Sequence, residues 1–337
     1  MQKPFYLAII VSILSIILLV YYFDTIGSIL KEKQPETLFE TIKNPEKEVV
    51  TRNPGKYALM AANVDEKKNL FYFFYLPFAA EAWRKIGFEP IVLLISSHET
   101  SLNGFNNNNP PAIRTIEYLK DMGATLKLIK SDKNYGLVTA MLCRLFVGVI
   151  DELMDEDYVL TSDSDLIPVG SNYYRIEDME AITAWNAFCC GNFDFKKRTF
   201  QMYPMGHIGM KKKHWRGVMK LNPLTKINTQ SIAKLLTESY DASYVKEDNK
   251  VGRGDGTWNA DQRAYEGARF DRSEKDKSLR FLVENEFNRI SDFHGFHSDF
   301  MERWEVSDLL FKRIFTYTVY ENLTIFYKQF KESLPIK

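Results

Sequence analysis

The sequence contains little cysteine and has no excess charge of either sign. Of its 337 residues three are cysteines, and 44 lysine and arginine residues balance 44 aspartate and glutamate residues. Three cysteines are too few for the disulfide framework of a small secreted domain, and no CxxC or zinc-type His/Cys spacing occurs. The balanced charge gives no indication of a nucleic-acid partner. We therefore expect a protein that folds around an apolar core, with Cys143 in that core and no structural bridge at Cys189–Cys190.

Charged residues are absent from a long segment near the amino terminus. Residues 4–23 read PFYLAIIVSILSIILLVYYF, and about 20 helical residues span the roughly 30 Å of a bilayer's hydrocarbon core. A cleavable signal peptide would have a shorter apolar region and a small-residue cleavage site, so we predict an uncleaved, membrane-spanning signal-anchor. Residues 1–3 would then form a short cytoplasmic tail, and the polar, proline-punctuated residues 24–55 a stem. Lysines flank the segment on both sides, so their distribution does not determine its orientation.

From Lys56 onward, apolar strand patterns alternate with helical patterns. We predict strands at 56–63, 90–96, 125–130 and 157–163, separated by helices at 77–87, 111–123 and 137–154. Such alternation is typical of an α/β fold, here a Rossmann-like, mostly parallel sheet with helices on both faces. Ligands of these sheets bind beyond the carboxyl ends of the strands. Further along, we predict strands within 180–190 and 200–210, a helix at 258–269 and a helical tail within 306–330.

The fourth predicted strand ends in two closely spaced carboxylates. It reads YVLTSDSDLIPV, with Asp163 and Asp165 between apolar residues on both sides. Two like charges in an apolar setting are costly unless a cation neutralises them. Carboxylates at i and i+2 of an extended chain point to the same side and offer the hard oxygen ligands that Mg²⁺ and Mn²⁺ prefer. The pair therefore predicts a divalent metal that binds a substrate diphosphate and neutralises its charge as it leaves.

The chain resembles the GT-A type of nucleotide-diphospho-sugar glycosyltransferases over residues 56–300. The resemblance rests on the combination of the apolar anchor, the stem, the β/α order and the Asp-x-Asp after a hydrophobic strand. The resemblance implies a metal-dependent, hexosyltransferase-like enzyme that uses Mn²⁺ or Mg²⁺, a nucleotide-sugar donor and a glycan, protein or lipid acceptor. Residues 56–170 would form the nucleotide-sugar-binding half, residues 171–305 the acceptor-side half and residues 306–337 a C-terminal helical tail.

The same resemblance implies a cellular location. Many enzymes of this type are single-span type II proteins of the Golgi or endoplasmic reticulum membrane, with a lumenal catalytic domain. The sequon Asn322–Leu323–Thr324 would then be a glycosylation site, although one sequon adds little by itself.

Nucleotide-binding roles are assigned by the resemblance only where residues match. Ala61, Ala62 and Asn63, at the end of the first strand, would line the nucleotide pocket. Arg144 lies on the helix before the motif, where similar enzymes place a basic residue close to the nucleotide sugar. A surface salt bridge is the alternative interpretation of Arg144.

Metal-binding roles follow in the same way. Asp163 would contact the ribose or the metal, and Asp165 would ligate the metal. The family often supplies a late histidine as a further ligand, and the segment FHGFH offers His294 and His297. An imidazole ligand favours Mn²⁺ over Mg²⁺.

The acceptor side offers a candidate catalytic base. An inverting transfer needs a carboxylate that accepts the acceptor hydroxyl proton, and WNADQRAYEG provides Asp261 with Trp258 as a sugar-stacking face. A helix-start carboxylate that complements the helix dipole is the alternative role for Asp261. Gly206, His207 and Gly209 are candidates for a flexible acceptor loop.

Two rival functions have a sequence basis. A haloacid-dehalogenase-type phosphatase also uses Asp-x-Asp after a strand, and GDGTWNAD at 254–261 loosely resembles a second motif of that class. A non-catalytic, membrane-anchored metal- or sugar-binding protein would share the Asp pair but consume no donor.

Overall fold

A computed structural model of the chain describes residues 52–66, 70–98, 101–102, 109–195, 197–251, 259–270, 279–282, 289–290 and 304–334. Its strands and helices belong to a unit that runs from Asn53 to Lys337. None of the helices among these residues has the length and apolar character needed to cross a membrane. The predicted anchor at 4–23 lies outside the described residues, as do His294 and His297.

The strands are short after the first three. Their bounds are β1 (Lys56–Asn63), β2 (Glu89–Ser96), β3 (Thr125–Lys130), β4 (Tyr158–Thr161), β5 (Ile167–Pro168), β6 (Ile182–Trp185), β7 (Asn192–Phe195), β8 (Arg198–Gln201), β9 (Ile208–Lys211), β10 (Leu279–Leu282) and β11 (Arg289–Ile290). The helices are α1 (Phe71–Lys85), α2 (Pro110–Asp121), α3 (Gly136–Leu142), α4 (Lys212–Val218), α5 (Thr229–Ser239), α6 (Ala260–Phe270), α7 (Trp304–Ile314) and α8 (Tyr317–Glu332). A 3₁₀ segment, Cys143–Val149, continues α3.

Seven of the described strands form one mixed sheet. Their order is β10-β6-β9-β4-β1-β2-β3. The pairs β1–β2, β2–β3, β1–β4 and β6–β10 are parallel, whereas β9 is antiparallel to both of its neighbours. All strands of this sheet except β9 therefore run in one direction. This confirms the predicted α/β class and the mostly parallel sheet.

The sheet carries helices on both faces, as predicted. Successive residues of β1 alternate between two apolar cores, with Ala58 and Met60 in one and Leu59 in the other. The first core contains residues of α1, α2, α7 and α8, and the second contains residues of α3, α4, α5 and α6. This alternation follows from the two-residue period of a strand, which sends neighbouring side chains to opposite faces.

Two glycines end helices at the edge of the sheet where β2 and β3 begin. Gly87 follows α1 with φ of +91°, and Gly123 follows α2 with φ of +77°. This left-handed conformation suits glycine, and it lets the chain reverse into the next strand within a few residues. Both glycines were predicted from the sequence as helix ends, and both predictions are confirmed.

Helix α1 starts six residues earlier than the sequence suggested. We expected Pro77 to open the helix, but it lies inside α1, which begins at Phe71. A proline in a helix deprives the carbonyl four residues earlier of its partner. Here that carbonyl belongs to Phe73, and the Thr115 hydroxyl of α2 donates to it at 2.9 Å. The neighbouring helix thus replaces the missing hydrogen bond, and the apolar first turn remains helical.

The predicted helix at 137–154 is also wrong in its length. Phe146 leaves the helical region of backbone angles, with φ of −95° and ψ of 19°, and the 3₁₀ segment ends at Val149. Gly148 packs so closely on α4 that an added Cβ would meet the Arg216 Cα at 2.4 Å. The close packing against α4 therefore occurs within the 3₁₀ segment, after the α-helix has ended.

The C-terminal tail is helical, as predicted, and forms the two helices α7 and α8. The segment 200–210 contains the end of β8 and most of β9, and the 3₁₀ segment Met205–His207 lies between them. One further expectation needs correction. Cys189 and Cys190 are joined by a disulfide, which the low cysteine count did not predict.

Candidate functional site

Strand direction brings distant segments to one edge of the sheet. The carboxyl ends of β1, β4 and β6 lie at this edge because the three strands run the same way. Strand β9 runs in the opposite direction, so its beginning lies there too. The segments after β1, β4 and β6 and the segment before β9 therefore converge where an α/β sheet binds ligands.

A cavity of about 520 Å³ opens at this edge. It is lined by all seven predicted site residues that the structure describes: Ala61, Ala62, Asn63, Arg144, Asp163, Asp165 and Asp261. They come from β1, the 3₁₀ segment after α3, the turn after β4 and the first turn of α6. Pro204–His207, Cys189, Cys190 and Gln262, all from the segment 171–305, also line the cavity.

The Asp-x-Asp segment forms a turn, which corrects the extended geometry that we expected. Strand β4 ends at Thr161, and the Leu166 backbone N–H donates to the Asp163 carbonyl at 3.2 Å. The two carboxylates consequently lie in different environments. The Asp163 side chain is 43% exposed, whereas residue Asp165 is only 3% exposed. Leu166 and Ile167, which follow, are buried in the core as predicted.

Arg144 joins the two acidic segments of the cavity. Its guanidinium donates from Nη1 to the Asp163 carboxylate and to the Ser162 carbonyl, the latter at 3.1 Å. Its Nη2 donates to Asp261 Oδ2 at 2.8 Å. Burial opposes the charged form of Arg144, but the Asp163 and Asp261 carboxylates together raise its pKa above the usual value. The alternative of a surface salt bridge is wrong, because the Arg144 side chain is only 11% exposed.

Asp261 is a buried carboxyl group at the start of α6. Burial raises its pKa to about 6, and the Asp163 carboxylate acts in the same direction. Arg144 and the Gln262 backbone N–H, which donates to Oδ1 at 2.8 Å, favour the charged form and limit the shift. A carboxyl group with such a pKa near neutrality can accept a proton at physiological pH.

Two glycines allow close packing around the cavity. A Cβ on Gly206 would meet Asp163 Oδ2 at 2.5 Å, so the turn before β9 lies directly against that carboxylate. A Cβ on Gly136 would meet Asn63 Nδ2 at 2.4 Å, so the start of α3 is packed on the end of β1. The Asp248 carboxylate accepts the N–H groups of Gly136 and Leu137 at 3.1 and 2.9 Å. Side-chain size is therefore tightly limited at both positions.

Two lining residues lie outside the nucleotide, metal and proton-accepting sites that the sequence predicts. Gln262 follows Asp261, and its buried Oε1 has no hydrogen-bond partner among the described residues. His207 belonged to a segment that we expected to be a flexible acceptor loop, yet it is buried, with Nε2 3.3 Å from the Tyr174 hydroxyl. The only sequence signal for either residue was its place in a glycine-containing or acidic segment. Among the described residues, no group of three or more His, Cys, Asp or Glu side chains is arranged to hold a metal.

Comparison with known proteins gives structural likenesses only. No protein-family model and no curated protein matches the sequence. The chain is similar to the galactosyltransferase LgtC in complex with donor and acceptor sugar analogs, with 14% identity, a TM-score of 0.37 and coverage of 66% of this chain and 72% of that one. It is also similar to the glycosyltransferase GlyE of Streptococcus pneumoniae TIGR4, with 12% identity, a TM-score of 0.34 and coverage of 84% and 64%.

A third similar solved structure is not named as a glycosyltransferase. It is 4-diphosphocytidyl-2C-methyl-D-erythritol synthase, with 10% identity, a TM-score of 0.34 and coverage of 77% of this chain and 100% of that one.

The first prediction concerns the Arg144 bridge. Arg144→Gln removes the cation between Asp163 and Asp261, and we expect it to lower the free energy of unfolding by about 3 kcal/mol because buried charge loses its partner. Urea denaturation measures this change. Arg114→Gln is the matched control, since the Arg114–Glu117 pair is about half exposed and should contribute less than about 1 kcal/mol. Equal effects of the two substitutions would contradict a structural role for the bridge.

The second prediction concerns Asp261 and pH. Its folded-state pKa of about 6 lies above the ordinary value of 3.8, so the folded protein binds more protons than the unfolded chain between these values. The Asp261 contribution to stability is therefore full below pH 4 and declines as pH rises to 6. Relative to Asp261→Asn, the native protein should lose about 3 kcal/mol over this window, at about 1.4 kcal/mol per pKa unit. Urea denaturation in a metal chelator at pH 4 to 7 measures the difference.

Asp151→Asn is the control for this titration, because the Asp151 side chain is 91% exposed. The stability difference between this control and the native protein should stay below about 1 kcal/mol over the same range, because exposed ion pairs contribute little. A constant difference for Asp261→Asn would show that Asp261 has no raised pKa.

Proposed function

We propose that this protein is a metal-dependent glycosyltransferase that transfers a sugar, of the hexose class, from a nucleotide diphosphate to an acceptor hydroxyl. One observation carries the proposal. The residues selected from the sequence for nucleotide, metal and proton-accepting roles come from four separated segments, and all that are described line one cavity. Strand direction explains why they converge, and the cavity lies where ligands bind in sheets of this kind. The resemblance to GT-A type enzymes points to the same function.

The residues present fit a divalent cation. Asp163 and Asp165 both line the cavity, and the hard oxygen donors of carboxylates suit Mn²⁺ and Mg²⁺. Mg²⁺-type sites commonly combine one or two protein carboxylates with substrate phosphates, so two described carboxylates suffice for such a site. When bound, the metal would neutralise charge on the leaving diphosphate. His294 and His297 remain candidate ligands and lie outside the described residues.

The remaining lining residues suit the two substrates. Ala61 and Ala62 have small side chains, so the end of β1 leaves room for a nucleoside. Arg144 fixes the positions of Asp163 and Asp261 and would place a positive charge near the donor phosphates. Asp261, with its pKa of about 6, would accept the acceptor hydroxyl proton above that pH. The burial of Asp261 keeps water from solvating the carboxylate and so preserves its basicity.

A membrane-anchored, lumenal location completes the proposal. The apolar segment at 4–23 would anchor the protein as a single-span type II protein of the Golgi or endoplasmic reticulum, with the cavity in the lumen. Asn322, in the sequon, is exposed on α8 and therefore accessible to modification.

The third prediction tests donor and metal together. A panel of nucleotide-diphospho-sugars, screened by thermal shift with and without Mn²⁺, should contain at least one donor that stabilises the protein only when the metal is present. Asp165→Asn should abolish this metal-dependent shift, whereas Asp151→Asn should retain it because Asp151 lies on the exposed surface. Asp261→Asn should retain the shift but lower the transfer rate at least tenfold, since it loses the proton acceptor.

Other outcomes identify the rival functions. Binding without consumption of any donor would favour a binding protein. Release of phosphate from simple phosphoesters would favour the phosphatase. Neither binding nor turnover of any donor in the presence of Mn²⁺ would overturn the proposal.

The fourth prediction tests the location. Expressed in eukaryotic cells, the full chain should migrate faster on gel electrophoresis after treatment with an N-glycosidase, and Asn322→Gln should remove that difference. A cytosolic domain would show no glycosidase effect, since N-glycosylation takes place in the lumen.

A further inference from the structure

The disulfide between Cys189 and Cys190 lies in the wall of the cavity. The two adjacent cysteines are in the turn that joins β6 to β7, and both line the cavity together with the Asp-x-Asp segment. Cys189 is exposed and Cys190 is half-buried, so a small thiol can reach the bond. Phe188, the preceding residue, is also 59% exposed. An accessible disulfide of this kind is open to thiol–disulfide exchange.

Hydrogen bonds hold both ends of the turn that contains the Cys189–Cys190 disulfide. At one end, the Asn186 backbone N–H donates to the Tyr173 hydroxyl at 2.8 Å. At the other end, the Gly191 carbonyl accepts the Met202 backbone N–H at 2.9 Å. Opening of the disulfide would therefore free two side chains without releasing the turn from the sheet. The two thiols would stay adjacent and would stay in the cavity wall.

We propose that Cys189 and Cys190 form a reducible dithiol site whose ligands are thiol-reactive compounds, in particular trivalent arsenicals, and whose occupation blocks the cavity. The blocked ligand is the nucleotide donor, so this part rests on the proposed function. A small dithiol supplies two electrons and two protons: the S–S bond breaks, two cysteine thiols form and the reductant becomes a disulfide. An arylarsine oxide then forms two As–S bonds, and its oxygen leaves as water with both thiol protons.

Cys143 provides an internal control. It is fully buried in the 3₁₀ segment, and burial raises the pKa of its thiol to about 12. A buried, protonated thiol is inert because the thiolate is the nucleophile. Cys143 also lacks an adjacent cysteine, so it offers an arsenical only one thiol. Reactivity in the native protein can therefore be assigned to Cys189 and Cys190.

Maleimide labelling of the full chain, counted by intact mass, tests the dithiol site without any nucleotide. The native protein should take no label before reduction and two labels after treatment with a small dithiol that is then removed. A third label should appear only in denaturant, at Cys143. Labels on the unreduced native protein, or no gain on reduction, would overturn the proposal.

Phenylarsine oxide tests the blockade. Added to the reduced protein, it should weaken Mn²⁺-dependent binding of nucleoside diphosphates, screened as UDP, GDP and CDP, by at least tenfold. The double variant Cys189→Ser/Cys190→Ser should bind the nucleotide with the same affinity with and without the arsenical. Cys143→Ser should behave as the native protein. Unchanged nucleotide binding by the arsenical-treated protein would overturn the blockade. Failure of all three nucleotides to bind the untreated protein would instead contradict the proposed function, with the labelling result unaffected.

Discussion

The ion pairs of Arg144 with Asp163 and Asp261 are the interaction on which the site depends. One guanidinium with several donors in a fixed plane holds carboxylates from two separate segments of the chain. Without it, two carboxylates would face each other in a partly buried space, and at least one would bind a proton. The bridge therefore sets both the positions of the acidic groups and their charge states.

The bridge also explains how a metal-binding role and a proton-accepting role can coexist in one cavity. Asp163, half exposed, remains available to a cation, whereas Asp261, buried, has a pKa raised to about 6. Two groups of the same chemical type thus differ in solvent access, as their two proposed roles require. A cation bound at Asp163 would further reduce the repulsion that acts on Asp261, since Asp163 is one cause of the raised pKa.

The sequence predicted the sheet and the position of the Asp pair because both depend on local patterns. The alternation of strands and helices indicates parallel strands, and parallel strands place their carboxyl ends at one edge. The Arg144–Asp261 pair could not be predicted in this way, because the two residues are 117 positions apart. The position of Pro77 inside a helix could not be predicted for a similar reason: the hydroxyl that satisfies the Phe73 carbonyl belongs to another helix. The disulfide was missed because a cysteine count describes a whole chain and not one turn.

The two edges of the sheet are built differently. At one edge, glycines such as Gly87 and Gly123 return the chain to the next strand within a few residues. At the other, the connections are longer and form the cavity wall. Longer or altered connections there would leave the hydrogen-bonded strands unchanged. Insertions at one edge would therefore reshape the cavity, whereas the opposite edge would tolerate little change in length.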